Sequence, residues 1–484
     1  MIHKVLIANR GEIAVRIAHT LREMGIETVA VFTEADQNSL HVRSADGTRT
    51  ISSYLDAKEI VGAAKESGAD AIHPGYGFLS ENASLSQACE DHGITFIGPR
   101  PDTIRSMGDK LESKRLMHKS GVPVVAAWPD GNPPASEFPV LVKAAGGGGG
   151  KGMRIVKTPA ELSDAIASAS REASAAFGND RVFVEKYIRE PRHIEFQILG
   201  DSHGNALHVF ERECSIQRRH QKIIEETPST AMTPELRAQM GTAAVAAARA
   251  VQYRGAGTVE FILDPSGKFY FLEMNTRLQV EHPITEMTTG LDLVREQVLI
   301  ASGEKLTYSQ GDLRQTGHSI ECRIYAEVPE EQFRPDTGTI EVYEPPSGPG
   351  IRLDSGVQAG SVVSYHFDPL LAKLIVWAPS RTAAIDRMKR ALNEFALLGV
   401  RNNIEFLHRI ISADDFAAGK TDTSFLDRHS ELFNDRTAVP AEAFLIGAVY
   451  ERAGGPRSAS AIARSLKDRP PLQGPWNSGA WRNS

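Results

Sequence analysis

The stretch that decides the fold runs from Thr258 to Thr289 and reads TVEFILDPSGKFYFLEMNTRLQVEHPITEMTT. Two segments of strand character flank the tetrapeptide Asp264–Gly267 (DPSG), in which each residue favours a turn. The segment after this turn alternates polar and apolar residues, which predicts an extended strand with one polar face. The polar positions on that face are Glu273, Asn275, Arg277, Gln279 and Glu281.

A four-residue turn fixes the expected register of this hairpin. Leu263 then lies opposite Lys268 and Glu260 opposite Phe271, which makes Glu273 the diagonal neighbour of Glu260 at about 7–8 Å. Two carboxylates that converge in this way repel each other unless a cation lies between them. Their hard oxygen atoms, with Asn275 nearby in the sequence, suit a magnesium ion that holds nucleotide phosphates. The pattern alone leaves open a second interpretation, in which these acids lie on an ordinary solvated face.

The composition limits the class of protein. A length of 484 residues corresponds to roughly three domains, and 41% hydrophobic with 24% charged residues is typical of folded domains. The net charge is −7 and no basic patch dominates the sequence, which argues against nucleic acid as a main partner. No apolar run is long enough to cross a membrane. The widely separated Cys89, Cys214 and Cys322 fit neither a disulfide framework nor a zinc site, and the first residues enter a strand directly, so we expect a cytoplasmic protein.

The order of predicted elements indicates an α/β protein. Residues 1–100 alternate strands and helices, which predicts a parallel sheet with crossover helices. Residues 182–290 contain mainly strands, with one alanine-rich helix over Pro234–Gln252 that Thr233 caps. Further strands and two helices follow from Gly317 to Asp427, and the chain after residue 430 resembles a linker.

A run of five glycines, Gly146–Gly150, precedes Lys151 and lies between two segments with strand character. The backbone N–H groups of such a run can surround phosphate oxygens. The run is not a Walker A loop, because Gly152 follows the lysine where Ser or Thr is required. We therefore predict a flexible hairpin that closes over a nucleotide, and a flexible linker is the alternative.

Several charged residues are candidates for contact with a nucleotide or an anionic substrate. Lys143 ends the strand before the glycine run, where its ammonium group can reach a phosphate, and Lys110 begins a predicted helix. Glu185 and Lys186 end another strand, where nearby backbone groups can bind the edge of an adenine. Each of these residues alone is equally typical of a solvated surface charge. Further candidate donors are Gln217, His220, Gln221, Lys222 and Arg323.

Seven motifs in order resemble those of the biotin carboxylases, the ATP-grasp ligases of biotin-dependent carboxylases, over about residues 1–430. The motifs are IANRGEIA (7–14), HPGYGFLSEN (73–82), MGDK (107–110), KAAGGGGGKGMR (143–154), RRHQK (218–222), EMNTRLQVEHPITE (273–286) and ECRI (321–324). The resemblance implies an α/β architecture: a Rossmann-like N-terminal domain, an ATP-grasp fold with a mobile lid, and an α+β C-terminal domain. The implied boundaries are 1–110, 111–305 with a lid at about 125–190, 317–430, and a linker or the start of a coupling region at 431–484.

The resemblance also implies a role for individual residues. Those expected to bind ATP are Lys110, Lys143, Gly148, Gly149, Gly150, Glu185, Lys186, His193, Gln217 and His220. Those expected to bind bicarbonate are Lys222, Arg277, Gln279 and the backbone of Val280. Magnesium or manganese is expected at Glu260 and Glu273, beside Asn275. Glu281 is expected to act as the general base, and Arg323 to bind biotin and stabilise its enolate; with Lys222 and Arg277 these two form the expected catalytic set.

The implied reaction is the carboxylation of biotin by ATP and bicarbonate through carboxyphosphate, as the first half-reaction of an acyl-CoA carboxylase. The sequence lacks an Ala-Met-Lys-Met biotinylation motif, so biotin is expected on a carrier domain. A carboxyltransferase subunit and further copies of the chain are the other expected partners. The alternatives are another bicarbonate-activating ATP-grasp ligase, such as a carbamoyl-phosphate synthetase, and a non-catalytic scaffold subunit. Two departures from the family pattern, a short segment at Gly47–Leu55 and Val328 in place of Asp, lie outside the motifs.

Overall fold

The computed structural model describes residues 2–146, 153–219 and 221–433. Three of the expected ATP ligands in the glycine run (Gly148, Gly149 and Gly150), together with His220, lie outside the described residues. The predicted coupling region also lies outside them, apart from its first three positions.

A five-stranded parallel sheet forms the first part of the fold, in the order β3-β2-β1-β4-β5. Its strands are β1 (Lys4–Ile7), β2 (Glu27–Phe32), β3 (Gly47–Thr50), β4 (Ala71–His73) and β5 (Thr95–Phe96). Its helices are α1 (Gly11–Glu23), α2 (Leu40–Ser44), α3 (Ala57–Ser67) and α4 (Ala83–Asp91), followed by α5 (Pro101–Gly108) and α6 (Lys110–Lys119). The predicted parallel sheet with crossover helices is confirmed.

Helix α3 begins at Ala57. The Asp56 carboxylate accepts hydrogen bonds from the backbone N–H groups of Lys58 and Glu59, so it caps the helix at that point. Tyr54 packs into the core beneath the sheet. Strand β3 lies in the segment that is short for the family and was not predicted. An edge strand of four residues is too short to show a clear alternation of polar and apolar residues.

A small antiparallel sheet follows, in the order β6-β9-β7-β8. It consists of β6 (Ala127–Trp128), β7 (Val140–Ala144), β8 (Arg154–Val156) and β9 (Val182–Lys186), and α7 (Leu162–Phe177) packs on it. Its core contains Val140, Val142, Val156 and Val184. Strands β7 and β8 flank the glycine run, as the sequence indicated.

An eight-stranded antiparallel sheet dominates the rest of the fold, in the order β14-β13-β10-β11-β12-β15-β22-β20. The elements up to residue 301 are β10 (Arg192–Gly200), β11 (Ala206–Arg218), β12 (Gln221–Thr227), α8 (Pro234–Ala250), β13 (Gly255–Leu263), β14 (Phe269–Asn275), α9 (His282–Thr289) and α10 (Leu293–Ala301). The longer elements after it are β15 (His318–Tyr325), β20 (Ile351–Ser355), β22 (Leu370–Ala378), α11 (Arg381–Glu394) and α12 (Ile404–Ser412). Strands β12 and β15 pair, so segments before and after residues 305–317 share one sheet.

Short elements complete the region after β15. They are β16 (Glu327–Val328), β17 (Arg334–Pro335), β18 (Gly338–Thr339), β19 (Val342–Glu344), β21 (Val362–Val363), β23 (Ala396–Leu398), α13 (Asp414–Ala417) and α14 (Phe425–Arg428). Helices α11 and α12 pack together and cover a core formed by β15 and β22.

The hairpin of β13 and β14 forms as predicted, but the predicted register is wrong. Leu263 lies opposite Phe269, and Glu260 lies directly opposite Glu273. The turn includes Lys268, because its backbone N–H donates to the Asp264 carboxylate and its carbonyl accepts from the backbone N–H of Asp264. A bulge between these pairs then brings the two glutamates face to face.

The predicted strand also ends earlier than the alternation suggested. It stops at Asn275, and the residues that follow turn back before α9 begins at His282. Arg277, Gln279 and Glu281 therefore do not lie on a strand face. They approach the glutamates because the chain folds back over them.

Candidate active site

A cavity of about 650 Å³ opens between the small antiparallel sheet and the β13–β14 end of the large sheet. It is lined by every predicted site residue that the structure describes, except Glu281, which is fully buried. These residues are Lys110, Lys143, Glu185, Lys186, His193, Gln217, Lys222, Glu260, Glu273, Asn275, Arg277, Gln279, Val280 and Arg323. A larger depression of about 1110 Å³ lies beside β3, and its lining contains none of them.

The ammonium group of Lys222 lies at the centre of three carboxylates. Its Nζ is 2.5 Å from Glu195, 2.8 Å from Glu260 and 2.7 Å from Glu281. Burial alone would lower the pKa of this lysine, but the three acids raise it well above its usual range. Lys222 is therefore protonated and positively charged.

Glu281 is held between two cations at the N-terminus of α9. Its Oε1 accepts from Lys222 at 2.7 Å and its Oε2 from Arg323 Nη2 at 3.0 Å. Burial opposes ionisation of the group, yet Lys222 and Arg323 outweigh burial and hold the pKa of Glu281 well below its usual range. The structure thus brings together the predicted base, a predicted bicarbonate ligand and the predicted biotin ligand.

Arg323 bridges Glu281 and a second acid, Glu225. The guanidinium Nε donates to Glu225 Oε1 at 2.7 Å. Burial raises the pKa of Glu225 to about 7, although Arg323 acts in the opposite direction. The second oxygen of Glu225 is buried and has no hydrogen-bond partner in the described part of the chain.

Glu260 accepts hydrogen bonds through both carboxylate oxygens. Oε2 lies 2.6 Å from His193 Nε2, and Oε1 accepts from Asn275 at 2.8 Å and Gln279 at 2.9 Å, besides Lys222. Burial would raise the pKa of Glu260, but Lys222 and His193 together lower it strongly. These donors keep the carboxylate ionised and satisfy both of its oxygen atoms.

The facing positions of Glu260 and Glu273 fit a divalent cation. Like charges directly opposite on adjacent strands repel, and Lys110 offsets part of this repulsion at 3.3 Å from Glu273 Oε2. Both acids line the cavity and supply the hard oxygen atoms that magnesium prefers. The oxygen donors therefore match the predicted metal, with the Asn275 oxygen hydrogen-bonded to Arg277 at 3.0 Å.

The Arg277 guanidinium is fixed by oxygen atoms on three sides. Besides Asn275, it donates to Gln279 Oε1 at 2.9 Å and to Glu81 at 3.0 Å. Glu81 comes from the loop before α4, so the first sheet contributes directly to the site. This leaves the guanidinium at the cavity wall in a defined orientation.

The opposite end of the cavity carries the predicted nucleotide ligands. The Glu185 carboxylate forms ion pairs with Lys114 and Lys143 beneath the small sheet. Two buried lysines hold the pKa of Glu185 below its usual range, even though burial acts to raise it. Its side chain is thus occupied by the lysines, and the backbone of β9 remains the group that can bind a base.

Gln217 and Lys186 have different environments. Gln217 Nε2 contacts His193 Nδ1 at 2.7 Å, so the imidazole links these two predicted nucleotide ligands to Glu260. Lys186 lies closer to solvent and pairs with Glu137 at 3.2 Å.

Sequence reasoning missed a second set of functional residues that orient the first. Arg212 is fully buried and donates to Glu195 at 2.5 Å, to Gln197 at 2.7 Å and to Thr285 at 3.0 Å. No sequence signal marked Arg212, because its strand also carries other charged residues such as Glu213. The missed residues are Glu81, Lys114, Glu195, Arg212 and Glu225.

Comparison with known proteins agrees with this geometry. Residues 1–104 match the family "Biotin carboxylase, N-terminal domain", and residues 321–428 match "Biotin carboxylase C-terminal domain". Residues 109–309 match "Carbamoyl-phosphate synthase L chain, ATP binding domain". The chain is 52% identical to a chloroplastic biotin carboxylase of Arabidopsis thaliana over 88% of this chain and 82% of the relative. The chain belongs to the biotin carboxylase family.

Further relatives extend the comparison for this biotin carboxylase family member. The mitochondrial methylcrotonoyl-CoA carboxylase subunit alpha of Glycine max is 51% identical over 90% of this chain, which spans 62% of that subunit. The biotin carboxylase domain dimer of Hydrogenobacter thermophilus 2-oxoglutarate carboxylase, solved with MgADP, ADP and bicarbonate, is 48% identical. Its TM-score is 0.87, and the match covers 90% of this chain and 100% of that one.

These findings confirm several predictions. The α/β fold with an ATP-grasp unit, the family, and the ATP-dependent ligase class with ATP, magnesium and bicarbonate are confirmed. The biotin carboxylase interpretation is favoured over the carbamoyl-phosphate synthetase and scaffold alternatives, since both flanking domains match biotin carboxylase families. Within the described residues no helix has the length and apolarity needed to span a bilayer. The two named relatives are chloroplastic and mitochondrial, so the cytoplasmic location stays a prediction.

Proposed function

We propose that this protein uses ATP and bicarbonate to carboxylate biotin on a carrier domain. The observation that supports this proposal most strongly is the position of Glu281, an ionised and buried carboxylate that contacts Lys222 and Arg323, both of which line the cavity. A base that is already ionised, beside a cation that can attract an anion, is what the deprotonation of bicarbonate requires.

The nucleotide is proposed to bind along the small sheet. Lys110 and Lys143 contact its phosphates, and the backbone at Glu185 and Lys186 borders the adenine. His193 and Gln217 contact the nucleotide where the small sheet meets the large one. Gly148, Gly149, Gly150 and His220 complete this set in the proposal.

Glu260 and Glu273, with Asn275 beside them, are proposed to hold the magnesium ion. When bound, this ion neutralises charge on the phosphates and orients the γ-phosphoryl group. Lys222 and Gln279 then release the Glu260 oxygen that they contact and become available to a bound anion.

Bicarbonate is proposed to bind to Lys222, Arg277, Gln279 and the backbone N–H of Val280. Its negative charge draws Lys222 away from Glu281, and the loss of this cation raises the proton affinity of the carboxylate. Glu281 takes the hydroxyl proton, the freed oxygen attacks the γ-phosphorus, and the bond to ADP breaks. The product, carboxyphosphate, needs protection from water, which closure of the residue 125–190 lid provides.

Arg323 is proposed to stabilise the second step. Carboxyphosphate breaks down to carbon dioxide and inorganic phosphate, and the phosphate takes the proton from the ureido nitrogen of biotin. Negative charge then develops on the ureido oxygen, and the nitrogen attacks carbon dioxide to form carboxybiotin. A guanidinium that is already oriented by Glu225 stabilises that charge without reorganisation.

The wider assembly is part of the same proposal. We assign the chain to the α-subunit of an acyl-CoA carboxylase, with domains at 1–110, 111–305 and 317–430 and a coupling region from 431. It works with a biotin carrier domain, a carboxyltransferase subunit and further copies of itself. The length and naming of the methylcrotonoyl-CoA carboxylase relative support this assignment.

Bicarbonate-dependent ATP hydrolysis, measured with and without free biotin, tests the proposal. ATP turnover that requires bicarbonate and increases with biotin is the expected result. Turnover that biotin does not change removes the biotin carboxylase assignment, and formation of carbamoyl phosphate from added ammonia supports the carbamoyl-phosphate synthetase alternative. The Glu273→Gln variant should show a weaker response to magnesium at unchanged fold, by circular dichroism.

A further inference from the structure

The segment that carries the proposed bicarbonate ligands is fixed from outside the cavity by two buried side chains. His282 Nδ1 lies 2.7 Å from the carbonyl oxygen of Gln279, and Lys373 Nζ donates to the carbonyl oxygen of Val280 at 2.9 Å. A carbonyl can only accept, so the Nδ1 atom of His282 carries the proton. Burial, aided by nearby Lys373, lowers the pKa of His282 well below its usual range, which is consistent with this neutral donor.

Lys373 approaches this segment from the large sheet. It is fully buried on β22, directly opposite Arg323 on β15. Arg323 contacts the Glu281 carboxylate at 3.0 Å, while Lys373 contacts the preceding carbonyl, that of Val280. Two directly paired strand residues therefore contact two consecutive residues of the loop.

The ammonium group of Lys373 also joins distant parts of the chain. It lies 3.2 Å from Glu12 on α1 and 3.6 Å from Asp354 on β20. Burial would lower the pKa of Lys373, but Glu12 and Asp354 raise it above its usual range. The contact with Val280 is thus a hydrogen bond from a charged donor, which is about twice as strong as a neutral one.

We propose that Lys373 is a positioning residue for bicarbonate. Lys373 fixes the peptide group between Val280 and Glu281. His282 fixes the one between Gln279 and Val280. Together the two hydrogen bonds restrict rotation about the Val280 Cα and so hold the direction of the Val280 N–H. That N–H shares a planar peptide with the Gln279 carbonyl, so the hydrogen bond from His282 polarises it as a donor. The inference rests on the proposed role of the Val280 N–H in bicarbonate binding.

The test is the Lys373→Met variant, assayed by bicarbonate-dependent ATP hydrolysis. Lys373 does not line the cavity, so the nucleotide site keeps its contacts. A misdirected N–H should raise the KM for bicarbonate roughly 10- to 100-fold. The KM for ATP should stay within about twofold of the wild-type value.

Two variants control for loss of stability. Glu12→Gln alters the environment of the same ammonium group without removing its hydrogen bond to Val280, and we expect its KM for bicarbonate to stay within about twofold of wild type. Arg381→Met removes a cation that contacts Glu226 and two carbonyls in the C-terminal region, so it lowers thermal stability without touching the loop. If Lys373→Met fails to fold, the Lys373→Met/Glu12→Gln double variant removes the unpaired Glu12 charge.

The outcomes separate the inference from the proposed function. A rise in the KM for bicarbonate confined to the Lys373 variants supports the positioning role. An equal rise in Glu12→Gln, or a fall in kcat at unchanged KM in Lys373→Met, overturns it. Absence of bicarbonate-dependent hydrolysis in the wild type refutes the proposed function instead.

Discussion

The strongest prediction concerns the replacement of Glu281 by glutamine. The amide has nearly the same shape, but it cannot take a proton from bicarbonate. Lys222 keeps Glu195 and Glu260 as partners, and Arg323 keeps Glu225, so no buried cation loses all its counter-charges. The fold and the cavity should therefore persist.

The expected loss of rate follows from the role of a general base. Such groups contribute about 10²- to 10⁴-fold, which corresponds to about 3–5 kcal/mol of transition-state stabilisation. We expect kcat for bicarbonate-dependent ATP hydrolysis to fall within this range. Because Glu281 does not line the cavity, the dissociation constant for ATP should remain within about twofold of wild type.

Steady-state hydrolysis and calorimetric titration with ATP measure the two quantities separately. A control variant, Glu235→Gln, changes an exposed glutamate in the first turn of α8 and should leave both unchanged. Full activity in Glu281→Gln would refute the assignment of the base. Loss of ATP binding in parallel with activity would instead show that the residue supports the cavity.

Three further predictions address pH dependence and stability. The pKa of Glu225 is raised to about 7, so the folded protein binds more protons than the unfolded chain between pH 4.5 and 7 and loses stability as pH rises through that window. When urea denaturation is compared at pH 5 and pH 8, the decrease in unfolding free energy should be on the order of 3 kcal/mol smaller in Glu225→Gln than in the wild type. Identical pH dependence in both proteins would contradict the raised pKa of Glu225. Glu185→Gln leaves Lys114 and Lys143 without their shared counter-charge, which should lower the free energy of unfolding by about 3–5 kcal/mol. We expect a lower melting temperature that ATP partly restores, and an unchanged melting temperature would argue against the buried ion pairs. Asp56→Ala removes the cap of α3 and should cost about 1 kcal/mol by urea denaturation, with no change in the KM for ATP or bicarbonate.

Local sequence patterns were sufficient to predict much of the fold. Alternation of strands and helices predicted the first parallel sheet, because each crossover helix has its own apolar face. The cap at Thr233 and the proline after it placed the start of α8 at the observed residue. These features depend on interactions within a few residues along the chain.

The way in which the site residues come together in space could not be predicted from the same patterns. The alternation of polar and apolar residues predicted that Glu273 and Glu281 share one strand face, yet the strand ends at Asn275. The chain reverses after it because Glu81, far away in sequence, accepts from the Thr276 backbone and the Arg277 side chain. Such a contact depends on how two sheets pack, which local periodicity does not contain.

The failure to predict two of the buried acids has a related cause. Glu195 lies in a strand rich in apolar residues, and Glu225 lies in a strand with other polar and charged residues. Neither local pattern therefore shows that the two acids are buried and paired. Their partners come from neighbouring strands: Glu195 pairs with Arg212 across the β10–β11 contact, and Glu225 with Arg323 across the β12–β15 contact. Only the order of strands in the sheet reveals these pairs.

The balance of charge explains how the fold maintains so many ionised groups beneath one cavity. In the cluster defined by Glu195, Glu225, Glu260 and Glu281 with Lys222, Arg212 and Arg323, each acid contacts at least one cation. The acids outnumber the cations by one, and Glu225, with its pKa near 7, can carry the compensating proton. A divalent cation at Glu260 would change this balance and release Lys222 toward an anion. In the proposed mechanism, the negative charge of these acids attracts the metal ion, and the bound ion frees Lys222 for contact with bicarbonate.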